Sequence, residues 1–205
     1  MKKRFKLKHL FIIILVALLV FLVFSIKGIY DSIKGSGEVK TLMTIDGYGY
    51  TLNENDSEYF KSLFEELKKC LESDSVDEEE YATLISKLFV TDFYSLKYAI
   101  SKSDVGGVQF IYTDSQSSFT KKAKDTIYAY VKSNVYGKRN QELPNVKEVE
   151  VTNIEQDEYK GDKLKDDKAY IVDLKLTYDE DLDYPDEVKL VLAHVNEKLE
   201  IVKID

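Results

Sequence analysis

The segment AYIVDLKLTY, residues 169–178, alternates apolar and polar side chains along its length. Apolar side chains with a period of two are typical of a strand that buries one face. One strand cannot bury such a face alone, so the segment predicts a sheet packed against other elements. The side chains predicted to share the buried face are Tyr170, Val172, Leu174, Leu176 and Tyr178.

Three further segments continue this period of two. Residues 146–155, 187–195 and 198–204 are predicted strands, and Asn196-Glu197 predicts a tight turn between the last two. Successive strands joined by short loops form an antiparallel meander with one face on the helices. Upstream, Asp46-Gly47 predicts a hairpin or an added edge strand.

Between the hairpin and the meander, apolar residues recur at intervals of three and four, which is typical of amphipathic helices. Residues 57–73 are predicted as the first helix, with Asn55 or Asp56 as its N-cap. The second is predicted to begin at the capping-box pattern that starts at Ser75 and to run to about Tyr94 or one turn further.

After the second helix, the two glycines of SKSDVGG predict a break. The short apolar run VQFIY, residues 108–112, is predicted as a single strand. A third helix is predicted to start within residues 114–118. Its apolar stripe consists of Phe119, Ala123, Ile127, Tyr130 and Val131.

Near the N-terminus, LFIIILVALLVFLVFSI, residues 10–26, contains one residue that is not apolar, Ser25. Such a run predicts a transmembrane helix, which we place at residues 10–30. Residues 1–9 carry five basic residues and no acidic one, so the N-terminus is predicted in the cytoplasm. The alternative, a cleaved signal peptide, is disfavoured by the length of the run and by the lack of a small-x-small cleavage site.

The predicted organisation is therefore a single-pass protein of the cell membrane with its C-terminal domain outside the cell. The Gly- and Ser-containing stretch after the apolar run predicts a linker. The predicted segments are a basic tail (1–9), a transmembrane helix (10–30), a linker (31–37) and an α+β domain (38–205) made of a hairpin (38–52) and a core (53–205).

Charge restricts the partners of the domain. The chain has 29 Lys and Arg and 37 Asp and Glu, and from residue 10 onward the counts are 24 and 37, a net charge of −13. Such a surface repels phosphate backbones, so nucleic acid is not expected as a partner. The predicted partners are membrane lipid, through residues 10–30, and either other proteins or a second copy. Cys70 is the only cysteine, which excludes an intrachain disulfide.

The order hairpin, helix, helix, strand, helix and four strands resembles the NTF2-like superfamily over residues 57–205. The resemblance rests on element order, and it implies three helices packed on a curved antiparallel sheet. With one predicted anchor in front, the chain also resembles the VirB8/TcpC type of conjugation-channel component. A cystatin-like or unrelated α+β sandwich is the alternative.

The resemblance also implies a pocket between helices and sheet, in which some relatives use Asp/His pairs. His194 is the only histidine beyond the N-terminal region, and with Asp92 or Asp173 it would form a general base. A single histidine near a strand end is more commonly a rim or core residue. Asp173 and Tyr130 are the other ligand-binding candidates, and no residue is assigned as catalytic.

An acidic cluster lies between two predicted strands. Asp179, Asp181 and Asp183 have the spacing of a calcium loop, which collects several oxygen ligands around one turn. Tyr184 then replaces the required glycine, and Leu190 replaces the bidentate glutamate. The cluster is therefore interpreted as a solvated hairpin tip, and neither a metal nor a cofactor is expected.

These observations predict a non-enzymatic, extracytoplasmic protein-interaction module in a bacterial cell-envelope assembly, of the kind found in conjugation or secretion channels. The alternative is a small-ligand or peptide-binding domain, or a degenerate enzyme, with an NTF2-like pocket. A regulator of wall or sporulation machinery is a third possibility. An interior filled by Tyr and Phe would favour the first, and a deep polar cavity would favour the second.

Overall fold

The computed structural model describes residues 40–205, which begin with a short antiparallel hairpin. Strand β1 (Thr41–Thr44) pairs with β2 (Thr51–Asn53). Gly47 and Gly49 in the connecting turn have φ of 79° and 69°, a left-handed conformation that favours glycine. The hairpin packs on the domain core through the buried side chains of Ile45, Tyr50 and Leu52.

Helix α1 (Glu58–Leu71) begins one residue later than the predicted N-cap Asp56 implies and two residues later than Asn55 implies. Its N-cap is Ser57, whose Oγ accepts the Phe60 N–H at 3.0 Å. The predicted cap Asp56 is engaged elsewhere, because its carboxylate accepts the Asn53 N–H at 2.6 Å. The prediction of Asn55 or Asp56 is therefore wrong.

Helix α2 (Glu78–Tyr94) ends at the earlier of its two predicted ends, but its predicted capping box does not form. The N-cap is Asp77, whose Oδ1 accepts the N–H groups of Glu79 and Glu80 at 3.0 and 3.1 Å. A carboxylate is favoured over a serine hydroxyl at this position because it also interacts with the positive end of the helix dipole.

The predicted strand at residues 108–112 is wrong. Val108–Phe110 forms a 3-10 turn, and only a single parallel bridge joins Ile111 to Ile201. The preceding Gly107 has φ of 74°, which turns the chain away from an extended path. This segment covers part of one sheet edge without adding a strand.

The third helix, α3 (Gln116–Asp125), is shorter than its predicted stripe. The chain leaves the helix at Thr126, where the N–H groups of both Thr126 and Tyr128 bond to the Ala123 carbonyl. Tyr130, predicted on this helix, therefore lies in the loop that follows it.

The four C-terminal strands form an antiparallel sheet in sequence order. The first two extend further than predicted, since their pairing continues to Lys160 and Lys165. The buried face of the second strand contains Tyr170, Val172, Leu174 and Leu176, as predicted. The strands are β3 (Val146–Lys160), β4 (Lys165–Tyr178), β5 (Glu187–Val195) and β6 (Lys198–Ile204).

One hydrophobic core lies between the helices and this sheet. Its centre contains large side chains with less than 2 % of their surface exposed, so the space between helices and sheet is filled. Among them are Phe64, Phe89, Phe110, Tyr128, Leu67, Leu190 and Leu192.

The predicted fold class requires a correction. No helix within residues 40–205 is both long enough and apolar enough to cross a membrane. The longest of them, α2, has 17 residues and begins with three glutamates, whereas a span needs about 20 predominantly apolar residues. The span predicted at residues 10–30 lies outside the described residues. The described fold is an α+β domain with three α-helices, a four-stranded sheet and a hairpin.

Candidate functional site

His194 lies at the end of β5, between two carboxylates that the sequence did not indicate as its partners. Its Nδ1 is 2.8 Å from Asp166 Oδ2, and its Nε2 is 3.6 Å from Glu78 Oε2. Burial alone would raise the pKa of Asp166, but hydrogen bonds from the backbone N–H groups of His194 and Lys168 and from the His194 ring lower it below its ordinary value. These contacts join β4, β5 and the start of α2, so His194 has a structural role here.

The other predicted ligand-binding residues do not meet His194. Asp173 pairs with Lys189 at 3.1 Å across two neighbouring strands, and its carboxylate also accepts from Asn153 at 3.3 Å. Tyr130 lies in the loop after α3, with 86 % of its surface exposed. The sequence-predicted candidates are therefore distributed over separate parts of the domain.

The acidic cluster at the predicted hairpin tip is divided among separate interactions. Asp179 binds the Asn145 side chain and lies 3.9 Å from Lys97 Nζ. Asp181 accepts the Asp183 N–H at 3.2 Å, and Asp183 has φ of 62°. In the part of the chain that the structure describes, no group of three or more His, Cys, Asp or Glu could hold a metal ion.

Aromatic side chains occupy the interior where the family resemblance implies a pocket. The hydroxyls of Tyr50 and Tyr81 lie 2.7 Å apart, and the Tyr50 ring packs against Phe110. The Tyr50 hydroxyl also donates to the Leu199 carbonyl at 3.2 Å, and Tyr81 accepts the Leu199 N–H at 3.2 Å. Burial raises the pKa of Tyr50 far above its ordinary value and that of Tyr81 to about 12. Both hydroxyls therefore stay protonated and tie hairpin, helix and sheet together.

A polar cavity of about 210 Å³ lies on the helical side of the domain. Its lining comes from the segment between β2 and α1, the end of α2 and the segments around Asp104 and Tyr128, and none of it comes from the four-stranded sheet. Three carboxylates face this space, from Asp56, Asp92 and Asp104, together with the tyrosines Tyr98 and Tyr128.

Backbone N–H groups hold each of these three carboxylates. Asn53 donates to Asp56 Oδ2 at 2.6 Å, as described above. Gly107 donates to Asp92 Oδ2 at 2.6 Å, and Ile100 donates to Asp104 Oδ2 at 2.8 Å. The carboxylates are therefore fixed in place by the main chain.

The environment of Asp92 favours its neutral form. Part of its surface opens to the cavity, but protein atoms surround the carboxylate densely. This burial raises the pKa of Asp92 to about 7 against the opposing effect of the Gly107 N–H, and the charges of Asp56 and Asp104 raise it further. Burial likewise raises the pKa of Asp56.

Sequence reasoning did not find this cavity, because its three aspartates come from separate segments. The signal that was present is Gly106-Gly107. A Cβ at Gly106 would lie 2.7 Å from Asp92 Oδ1, and a Cβ at Gly107 would lie 2.7 Å from the Phe89 ring. The glycine pair is required for the loop to pass close to α2.

A second feature is the surface loop of residues 126–145, which contains no helix or strand. Arg139 fixes it to the chain after α2: its Nη1 donates to the Ala99 carbonyl and its Nη2 to the Lys97 carbonyl, both at 2.6 Å. The Gln141 side chain closes the loop by binding the Lys132 N–H at 2.8 Å and the Tyr130 carbonyl at 3.0 Å. The loop is thus ordered by its own hydrogen bonds.

This loop exposes two large aromatic side chains in a basic part of an acidic domain. Tyr130 is 86 % exposed and Tyr136 is 76 % exposed. Residues 97–139, here called the basic segment, contain eight basic and three acidic residues, a net charge of +5. Residues 40–205 contain 22 basic and 35 acidic residues, a net charge of −13. The basic segment therefore differs in sign from the rest of the domain.

Comparison with known proteins finds no matching family model, no matching curated protein and no matching solved structure. The resemblance to the NTF2-like superfamily therefore stays a prediction from element order.

Proposed function

We propose that this protein is a protein-interaction module that binds an acidic protein surface through the basic segment. The observation that carries the proposal is the ordered loop of residues 126–145, which presents Tyr130 and Tyr136 to solvent. Tyrosine is enriched at protein interfaces because its ring supplies contact area and its hydroxyl supplies a hydrogen bond. Exposed aromatic side chains on an ordered loop are suited to such contacts.

The hydrogen bonds of Arg139 and Gln141 favour binding for a thermodynamic reason. Ordering a flexible loop costs conformational entropy, roughly 1–2 kcal/mol for each residue fixed. Here the loop is already ordered in the free domain. Binding therefore requires little further loss of conformational entropy. Two exposed tyrosines can then contribute contact area without further rearrangement.

Charge supports an acidic partner. The basic segment includes the exposed residues Lys122, Lys132 and Lys138, which attract carboxylates. Complementary charge accelerates encounter and disfavours basic competitors. The acidic remainder of the same chain is one such surface, so self-association is an outcome that the test must separate from binding of another protein.

The filled interior favours an interaction module over a small-ligand domain with a pocket between helices and sheet. The extracytoplasmic location and the role in a cell-envelope assembly stay predictions from the sequence.

The test is chemical cross-linking of the full-length chain in cells, followed by mass spectrometry. We expect Tyr130→Ser combined with Tyr136→Ser to abolish the main cross-linked species. The matched control is Leu42→Ser, which removes a 50 % exposed apolar side chain from β1. An adduct of twice the chain's mass would identify a second copy as the partner. Equal cross-linking of the double variant and the parent would overturn the proposal.

A further inference from the structure

We infer that the cavity between the segment preceding α1 and the end of α2 binds a small organic cation that carries a primary ammonium group. The lining of this site includes neither Tyr130 nor Tyr136, and the inference goes beyond the proposed function. It depends on the lining of the cavity, on the fixed carboxylates and on a buried hydroxyl beside them.

The lining selects for positive charge. Asp56, Asp92 and Asp104 face the cavity, and no Lys, Arg or His is part of its wall. The charge of Lys61 acts on Asp56 from outside the lining, but its Nζ is paired with Glu58 at 2.8 Å. A cation in the cavity would relieve the mutual repulsion of the three carboxylates.

Each of the three carboxylates can accept further hydrogen bonds. In each of them, Oδ2 accepts one backbone N–H, from Asn53, Gly107 or Ile100. Within residues 40–205, no hydrogen bond reaches the Oδ1 atoms of these three side chains. An ammonium group has three N–H donors and no acceptor, which matches a wall of fixed carboxylate oxygens.

Thr91 provides an independent observation. Its side chain is completely buried, and its Oγ1 has no hydrogen-bond partner in the described part of the chain. Thr91 lines a recess of about 20 Å³ that shares Asp56, Asp92 and Tyr98 with the main cavity. Buried hydroxyls are normally satisfied, so an unsatisfied one beside a polar cavity indicates a missing donor or acceptor.

Size and geometry favour an organic cation over a metal ion. No cluster of three or more His, Cys, Asp or Glu among residues 40–205 could hold a metal. The volume of about 210 Å³ is below the roughly 300 Å³ of the smallest drug-sized pockets. A short aliphatic amine fits this space, whose lining also includes Tyr98, Ala99 and Val105.

Binding of the cation is coupled to the ionisation of Asp92, because a positive charge next to the carboxyl group would lower its raised pKa. The ammonium group could belong to a free amine or to a lysine side chain of a peptide. Both sources present the same chemistry to the cavity, so the experiment includes one probe for each.

The test is a titration of the full-length chain with n-butylammonium and, separately, with Nα-acetyl-lysine amide. The readout is the NMR shift of the Gly107 and Ile100 amides, which contact two of the carboxylates. We expect saturable shifts with at least one of the two amines, and the tighter one identifies the source. n-Butanol, which has the same chain without the charge, should leave both amides unchanged.

Variants localise the binding. The titrations are made at pH 8, where Asp92 is ionised. Asp92→Asn and Asp104→Asn keep an acceptor for their backbone N–H groups, and each should weaken amine binding about tenfold or more, as expected for loss of a charged hydrogen-bond partner. The charge-matched control is Asp74→Asn, an exposed acid outside the lining, which should bind as the parent does. Equal shifts with n-butanol, equal weakening by Asp74→Asn, or a response to Ca²⁺ without a response to either amine would overturn the inference.

Discussion

At the scale of single residues, Asp92 combines a structural hydrogen bond with an unfavourable charge. Its carboxylate holds the Gly107 N–H, yet burial raises its pKa to about 7 from the unfolded value of about 3.9. Between these two values the folded chain binds more protons than the unfolded chain. The contribution of Asp92 to stability is therefore present at low pH and is lost as pH rises toward 7.

Asp92→Asn should remove this pH dependence. The amide keeps an acceptor for Gly107 and cannot ionise, so we expect the variant to be more stable than the parent by about 1–3 kcal/mol at pH 8, with a smaller difference at pH 5. Urea unfolding at both pH values measures the effect. The same difference between variant and parent at pH 5 and at pH 8 would contradict the assignment.

The buried tyrosine pair gives a second residue-scale expectation. In Tyr81→Phe, the Leu199 N–H loses its acceptor and the Tyr50 hydroxyl loses one partner. We expect a loss of about 1–3 kcal/mol in the free energy of unfolding, measured with urea, because the Leu199 N–H stays buried and unsatisfied. Tyr136→Phe removes an exposed hydroxyl and should change stability by less than about 0.5 kcal/mol. Equal effects of the two variants would argue against the network.

At the scale of elements, the glycine pair after α2 determines how the loop meets the helix. Gly107→Ala would require a left-handed φ of 74° and would place a Cβ 2.7 Å from the Phe89 ring. We expect destabilisation of about 2–4 kcal/mol from backbone strain together with overpacking, measured by urea unfolding.

Gly137→Ala is the matched control. Gly137 also has a left-handed φ, of 65°, but no atom lies within 4 Å of its added Cβ. This variant should lower the free energy of unfolding by only about 1–2 kcal/mol, because backbone strain is its sole cost. A loss in Gly137→Ala as large as that in Gly107→Ala would show that packing against Phe89 is not the cause.

Arg139 orders the 126–145 loop. Arg139→Ala removes the donors that reach the carbonyls of Lys97, Ala99 and Lys132. We expect faster proteolytic cleavage within the loop and weaker cross-linking to the partner, because the loop then becomes ordered only on binding. Lys121→Ala, which removes an exposed ion pair of α3, is the control and should leave cleavage of the loop unchanged. Unchanged cleavage in Arg139→Ala would refute the role of this arginine.

Some elements were predictable because their signal is local. The alternation in β4 gave the correct buried face, since a strand's period of two does not depend on tertiary contacts. The end of α3 was not predictable, because Tyr128 and Val131 are buried at helix-like spacing although they lie in a loop.

The segment 108–112 shows a different limit. Gln109 accepts the Thr51 N–H at 2.8 Å and donates to the Thr51 carbonyl at 3.1 Å, so a side-chain amide imitates strand pairing. The cavity was equally hidden. Asp56, Asp92 and Asp104 are brought together by the packing of α1, α2 and the following loop, which no local pattern encodes.

At the scale of the whole domain, the distribution of charge distinguishes the basic segment from the rest of the domain. Residues 40–205 outside the basic segment contain 14 basic and 32 acidic residues, whereas the basic segment carries a net charge of +5. If this charge attracts an acidic partner, the yield of cross-links between the purified chain and that partner should depend on salt. The yield should fall as NaCl rises from about 50 to about 300 mM, because added salt screens exposed charges. A cross-linking yield that does not depend on salt would count against charge as the basis of recognition.

The central claim is that the loop of residues 126–145 is the contact surface. Its most direct test is a photo-cross-linking amino acid placed at Tyr136 in the full-length chain, with exposed Glu155 on β3 as the control site. We expect light-dependent adducts with one acidic protein, or with a second copy, from position 136 and not from position 155. Adducts from position 155 alone, or from neither position, would contradict the account.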